Sequence, residues 1–532
     1  MKVVAAIVLV CCFLCNVASE ERPSVNAPAG TFVGQQSKGV SSFLGIPYAL
    51  PPIGSRRFSA PIPQPPLNSS FDASAYPPMC PQPFLEVGRL QPMHEDCLFL
   101  NIWTPKTPSH SAAEPLGVMV FFYGGSFVIG DSWEFGFYEG SALSTTSNRV
   151  IVTLNYRLGA LGFFALDELE SEDPRAVGNY GMMDQRLALQ WVHDNIASFG
   201  GDPNRVTIFG ESAGAFSVCY HLVSPASASL FHAAIMQSGS CDALIFYTPL
   251  SISKNYSRTF AASLGCTGPD VLSCMRSADL RKMQHHWPNG TGRDSVPPLA
   301  PLFPWGPTIR DHTSVELPDI PLRLIRHGAF NRVPIIAGTN KDEGTLFAVA
   351  LHFVVGGRIW PPTLQQLHDA LMRLTNSNTS SAAVMNEYAS DIEESIGNAT
   401  ATIITDAVFA CGTRRLLEAA SLHNVTTRMY QFIEATPWVD TRVLGDYHTA
   451  ELSYIFGSWS LIHPLTHERL QLAEYMRKAW SAVPQEWLPF NTAHGAMLLQ
   501  WPPVMSSSKC TDRSRRCECD FWEPILNQIM DL

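Results

Sequence analysis

The chain has 532 residues, 46% hydrophobic and 16% charged, which is ample apolar material for a large globular core. Lys plus Arg number 36 and Asp plus Glu 47, a net charge of -11. That balance argues against nucleic acid or an anionic membrane surface as the main partner.

Residues Met1–Ser19 read as a secretory leader. Lys2 supplies the positive start, Val3–Leu14 is an apolar run too short to span a bilayer comfortably, and Val17-Ala18-Ser19 offers small residues for cleavage. No later run reaches ~18 consecutive apolar residues, so no transmembrane segment is expected. Length alone suggests about three domains of ~150 residues. No Pro/Gly/Ser-rich linker or charge run divides the chain, however, and a single domain over 20–532 is expected. Pro61–Pro66 and the Asn/Ser/Thr-rich patch Asn376–Ser381 read as surface loops.

The first buried strand is predicted at Gly117–Phe122. It runs straight into Tyr123-Gly-Gly-Ser-Phe127, where consecutive glycines free backbone N–H groups to face a ligand. Val150–Leu154 is a second apolar run. In Met183–Ser198, Leu187, Ala188, Trp191, Val192 and Ile196 recur at helical steps, and Gly200-Gly201 stops the run. Further strands are predicted at Arg205–Phe209, Ala234–Gln237, Val333–Ala337 and Met429–Ile433. Short, nearly continuous hydrophobic runs alternating with helices predict an α/β fold on a mostly parallel sheet, with chemistry at the strands' carboxyl ends.

Arg205–Phe209 leads into Gly210-x-Ser212-x-Gly214, and a helical run, Ala213–Val223, follows. Strand, Gly-x-Ser-x-Gly and helix form the layout of a nucleophile elbow. The turn is so tight that only glycine fits at Gly210 and Gly214. The helix start behind Ser212 offers a backbone N–H and a positive dipole end to a reaction oxyanion. A serine hydroxyl needs a base, and 16 histidines compete for that role. His448, in Gly445-Asp-Tyr-His-Thr-Ala450, follows the Met429–Ile433 strand; His494 is a rival. For the acid, Glu343 follows the Val333–Ala337 strand, with Asp342 beside it as an alternative. The order Ser…Glu…His suits an α/β-hydrolase.

Six sequons, at Asn68, Asn255, Asn289, Asn378, Asn398 and Asn424, together with the leader point to a glycosylated protein of the secretory pathway or cell exterior. Of the 13 cysteines, Cys11, Cys12 and Cys15 fall in the leader; some of the rest should pair in an oxidising compartment. Cys517-x-Cys519 lacks partners at zinc-site spacing, and neither a metal nor another cofactor is expected.

Ordered motifs across nearly all of residues 20–532 carry a resemblance. They include Glu95-Asp-Cys-Leu-Phe-Leu-Asn-Ile-Trp103, Asn155-Tyr-Arg-Leu-Gly159, Phe199-Gly-Gly-Asp-Pro203, Gly210-Glu-Ser-Ala-Gly214, Asn340-Lys-Asp-Glu-Gly344 and His448-Thr-Ala-Glu-Leu-Ser-Tyr-Ile-Phe-Gly457. The sequence resembles the type-B carboxylesterase/lipase family, which includes cholinesterases. The resemblance implies an α/β-hydrolase fold and hydrolysis of a small-molecule or lipid ester. It implies Ser212 as nucleophile, Glu343 as acid and His448 as base. It places the oxyanion donors at Gly125, Ser126 and Ala213, and makes Glu211 a supporting buried carboxylate. Ser126 departs from the commoner glycine; its N–H can still donate, while its Cβ and hydroxyl can narrow the pocket. The resemblance further implies disulfides Cys80–Cys97, Cys266–Cys274 and Cys411–Cys519, leaving Cys510 and Cys517 free to pair, Cys219 a buried thiol and Cys241 unassigned. Arg57 with Glu95, and Arg157 with Asp184, resemble structural ion pairs. Pro297–Pro307 is expected to contribute acyl-pocket walls or core packing. A choline-ester hydrolase needs an aromatic wall, and Trp is the best partner for a quaternary ammonium. The Pro81–Asp96 loop holds Phe84 but no Trp or Tyr, which argues against that substrate. A non-catalytic adhesion relative would typically lack the serine or histidine, and this chain keeps both.

Overall fold

The structure, a computed structural model, describes residues 22–83, 92–106, 114–242, 247–285, 305–311, 314–354, 361–434, 444–458, 465–482, 487–490, 495–506 and 518–530. An 11-stranded sheet organises them. Its strands, in chain order, are β1 (Gln35–Ser37), β2 (Val40–Pro47), β3 (Phe99–Pro105), β4 (Leu116–Phe122), β5 (Val150–Leu154), β6 (Gly201–Glu211), β7 (Ala233–Gln237), β8 (Ile335–Asn340), β9 (Thr427–Phe432), β10 (Met497–Leu499) and β11 (Val504–Met505). Across the sheet they run β11-β10-β9-β8-β7-β6-β4-β5-β3-β2-β1. Every pairing from β10 through to β5 is parallel, and the pairings beyond, at both edges, are antiparallel. The six strands expected from the sequence are β4 to β9, the contiguous parallel core. They were legible because helices around the sheet leave both faces buried, so the runs are apolar without alternation. All of β5 and all of β8 are buried.

The fold is that of an α/β-hydrolase. β4 has β5 on one side and β6 on the other, so the chain crosses over at this point. In open α/β sheets such a point, beyond the strands' carboxyl ends, is where ligands bind. The helix expected at Met183–Ser198 spans Tyr180–Asn195, tightens into a 3-10 turn at Ile196–Phe199, and stops at Gly200 in the left-handed region, φ 86°. Ala213–Val223 is helical as expected and buried along its whole length.

Two expectations need correction. Asn376–Ser381 is not a loop. Asn376, at φ 50°, ends the helix Leu364–Thr375, and the Ser377 hydroxyl accepts from Ser380 N at 3.2 Å to cap the helix Asn378–Glu387. Residues that favour turns also favour helix ends. Cys219 is not a free thiol. It bonds to Cys241 across a Cα–Cα distance of 5.4 Å, well within disulfide reach. The link ties the helix behind Ser212 to the segment leaving β7. Among the described residues the other three disulfides are Cys80–Cys97, Cys266–Cys274 and Cys411–Cys519.

Arg57 grips Glu95 through two hydrogen bonds of 2.6 Å. Arg157 grips the fully buried Asp184 through bonds of 2.8 and 2.7 Å. Trp305 packs edge-on against Tyr256 and Phe260, a core role; 297–304 lie outside the described residues. So do the leader, Phe84, Asn289, Cys510, Cys517 and His494. No helix among the described residues is long and apolar enough to cross a membrane.

Candidate active site

β6 ends at Glu211, and the chain turns at Ser212 into the helix Ala213–Val223. Ser212 sits at φ 55°, ψ -123°, a conformation that costs a non-glycine residue about 1–3 kcal/mol. The neighbouring glycines make the turn possible. A Cβ on Gly214 would come 1.8 Å from Phe122 O, and one on Gly210 would come 2.4 Å from Gly214 O. The turn is braced from β7, because Ser212 N donates to Gln237 O at 2.9 Å. Ala213 opens the helix, so its N–H is one of those with no partner within the helix.

β4 delivers the glycine loop beside this turn. Gly124 lies against the elbow: a Cβ there would come 2.7 Å from Glu211 Oε2 and 3.0 Å from Ser212 Cβ. Gly125, Ser126 and Phe127 then take φ of 97°, 56° and 61°. Three successive left-handed residues reverse the chain, and Val128 N and Ile129 N close the reversal by donating to Gly125 O, each at 3.0 Å. Ser126 therefore carries backbone strain that glycine would not. Gln82 grips Gly130 through both its amide atoms, at 2.9 and 3.0 Å, tying the loop to the Cys80–Cys97 region.

β8 leads to Glu343. This buried carboxylate accepts from Asn340 N at 2.6 Å through Oε1 and lies 2.6 Å from His448 Nδ1 through Oε2. The imidazole is 5% exposed and is flanked by the rings of Phe347 and Phe409, with centroids 4.8 and 5.1 Å away. Its other nitrogen, Nε2, stands 3.0 Å from Glu211 Oε1, and neither of these two atoms makes a hydrogen bond. Nε2 is therefore not bonded to Ser212. A further buried carboxylate, Glu451, lies three residues beyond His448 and accepts from Asn340 Nδ2 at 2.6 Å and Gln237 Nε2 at 3.0 Å.

Three buried carboxylates thus surround one imidazole. Burial opposes the charge on His448, but Glu211, Glu343 and Glu451 outweigh it and raise the imidazole to about 9. Burial raises Glu211 to about 8, with His448 pulling the other way. Burial and the neighbouring Glu343 also raise Glu451. The groups titrate as one coupled set.

Glu211, Ser212, Ala213, Gly125, Ser126, Glu343 and His448 are thus brought to one end of the sheet. Asp342, the rival acid, points elsewhere and accepts from Asp446 N at 3.0 Å. Sequence reasoning missed Glu451, Gln237, Phe347 and Phe409. Glu451 was findable, since an acid three residues after a loop histidine shares its turn; the other three carry no sequence signal.

The Carboxylesterase family profile matches residues 21–513. The chain belongs to the carboxylesterase family. It is similar to Acylcarnitine hydrolase of Mus musculus, at 34% identity over 88% of this chain and 84% of that one. It is also similar to Acetylcholinesterase-1 of Trittame loki, at 31% over 95% of both, and to Carboxylesterase 1D of Rattus norvegicus, at 31% over 94% and 93%. A solved structure of a thermophilic PNB esterase matches with a TM-score of 0.77 and 30% identity, over 91% of this chain and 97% of that one. Fold and family agree on a carboxylic-ester hydrolase.

Proposed function

We propose that this carboxylesterase cleaves carboxylic esters through an acyl-enzyme on Ser212, with His448 as base and Glu343 as its orienting acid. The observation that carries this is the 2.6 Å contact between Glu343 and His448 Nδ1, at the same strand ends as the strained Ser212. Glu343 fixes the tautomer with hydrogen on Nδ1, leaving Nε2 to take a proton. Nε2 leaves Glu211 and takes the Ser212 proton as Oγ attacks the ester carbonyl; catalytic hydrogen bonds often tighten only with substrate present. The carbonyl oxygen becomes an oxyanion that accepts from the N–H groups of Gly125, Ser126 and Ala213. Losing one such donor typically costs ~10²–10³ in rate. The C–O bond then breaks, and the alcohol leaves with the proton from His448. Water gives a proton to His448, attacks the acyl carbon, and releases the acid and the Ser212 hydroxyl.

The test is hydrolysis of a short-chain nitrophenyl ester by the parent and by Ser212→Ala. The variant is expected at background, and an organophosphate is expected to label the Ser212 peptide. Equal rates in both proteins would remove the mechanism. An uncharged ester is the expected substrate class, because the Pro81–Asp96 loop has no Trp or Tyr. A large preference for a choline ester over its uncharged isostere would reverse that reading.

The setting we infer is the secretory pathway or the cell exterior. Asn68, Asn255, Asn378, Asn398 and Asn424 are all exposed and open to glycan attachment, and the four disulfides among the described residues suit an oxidising compartment.

A further inference from the structure

The loops that carry Glu343 and His448 are stitched to each other. Asp342 N donates to Asp446 O at 3.1 Å, and Asp446 N donates back to Asp342 Oδ2 at 3.0 Å. Asp342 and Tyr447 form an isolated parallel bridge. Asn340 Nδ2 donates to Tyr447 O at 2.8 Å, and Thr345 Oγ1 lies 2.9 Å from Leu444 O. Gly445, at φ 61°, lets the second loop lie flat on the first: a Cβ there would come 2.3 Å from Asp342 Oδ2. These contacts bracket both functional side chains. Asp342 immediately precedes Glu343, and Asp446 comes two residues before His448.

We propose that Asp342 is a positioning residue, an acceptor that pins the His448 loop onto the Glu343 loop and so sets the Nδ1–Oε2 approach. This rests on the reading of Ser212, Glu343 and His448 above. What the clamp needs from Asp342 is an oxygen for the Asp446 N–H. It does not need a charge, since the facing side chain is itself a carboxyl group. An asparagine oxygen meets that need and an alanine does not.

The experiment compares Asp342→Asn, Asp342→Ala and Glu343→Gln by steady-state kinetics on a nitrophenyl ester, with thermal midpoints as a folding control. A misplacement of about 1 Å can cost ~10² in rate. Asp342→Ala is therefore expected to lose about tenfold to a hundredfold in kcat with KM within about threefold, and Asp342→Asn to stay within about threefold of the parent. Glu343→Gln should lose far more, because it takes the charge from the imidazole's partner. Parent-like kcat in a folded Asp342→Ala would overturn the clamp while leaving the triad intact. If Asp342→Asn fell as far as Asp342→Ala while Glu343→Gln stayed active, Asp342 would be the acid and the reading of Glu343 would fail. Should Asp342→Ala not fold, Thr345→Val decides. It removes the neighbouring stitch to Leu444, and a kcat loss at unchanged KM supports the clamp, whereas an unchanged kcat overturns it.

Discussion

Glu211→Gln is the most informative single perturbation of the site. Glu211 Oε1 lies 3.0 Å from His448 Nε2, and both groups are buried. At an effective dielectric of about 20, two unit charges at that distance interact by about 5 kcal/mol. One pKa unit corresponds to about 1.4 kcal/mol, which sets a ceiling near 4 units. Burial raises Glu211 to about 8 while His448 pulls the other way, so the two titrate together. Only part of the full charge therefore acts on His448 near neutrality, and a shift of about 1–2 units is expected. The sign is fixed. Glutamine removes a negative charge that favours imidazolium, so the His448 pKa falls. On the proposed mechanism His448 is then neutral, and able to accept the Ser212 proton, down to lower pH. The assay is kcat/KM against pH on an uncharged nitrophenyl ester, whose own ionisation cannot contribute. The acid limb should move toward lower pH in the variant. A limb that stays put, or moves toward higher pH, would refute this electrostatic account of the site, whatever happened to the maximal rate.

The packing of the elbow makes a second test. Gly214→Ala forces a Cβ to within 1.8 Å of a backbone oxygen and should destabilise the protein by about 4 kcal/mol or more. Gly39→Ala, at φ 79° with nothing nearby, should cost only about 1–2 kcal/mol. Denaturant midpoints of the two variants check the contrast, and equal losses would count against it. The Cys219–Cys241 link closes a loop of 22 residues and is worth about 3 kcal/mol by loop-closure entropy. Replacing both cysteines by serine should lower the thermal midpoint by about 3 °C. Linked peptides should be recovered from the unreduced parent, and free thiols at both positions there would exclude the bond.

What the sequence disclosed follows the physics of burial. β5 reads clearly as Val150–Leu154 because both its faces are covered and every residue is apolar or a satisfied threonine. β6 begins four residues earlier than its apolar run suggests, at Gly201, because Gly-Asp-Pro-Asn does not look like a strand, although Gly201 pairs with Leu116. The outlying strands Gln35–Ser37, Met497–Leu499 and Val504–Met505 are two or three residues long, too short to show a period. In the site, Ser212 was legible because its conformation demands glycines at fixed offsets. His448 was not separable from His494 by spacing, because what distinguishes His448 is a neighbour 105 residues away in sequence. Cys219 and Cys241 failed for a related reason: pairing depends on how a helix and a loop approach in space.

The same distance explains why the loops needed stitching at all. Ser212 leaves β6, Glu343 follows β8, and His448 follows β9. At about 4.8 Å per strand, β9 stands roughly 14 Å from β6. An imidazole attached directly to the end of β9 would be out of reach of a serine at the end of β6. On the proposed mechanism the His448 loop must fold back across the ends of β8 and β7, and each of those strands receives it. β8 does so through Asn340 and, just beyond its end, Asp342. β7 does so through Gln237, whose side-chain amide bonds Glu451 while its backbone oxygen holds Ser212 N. Gln237 thus touches the Ser212 turn with one atom and the His448 turn with another. The sheet supplies the rigidity, and polar contacts at β7 and β8 hold the His448 turn over the strand ends that also carry Ser212.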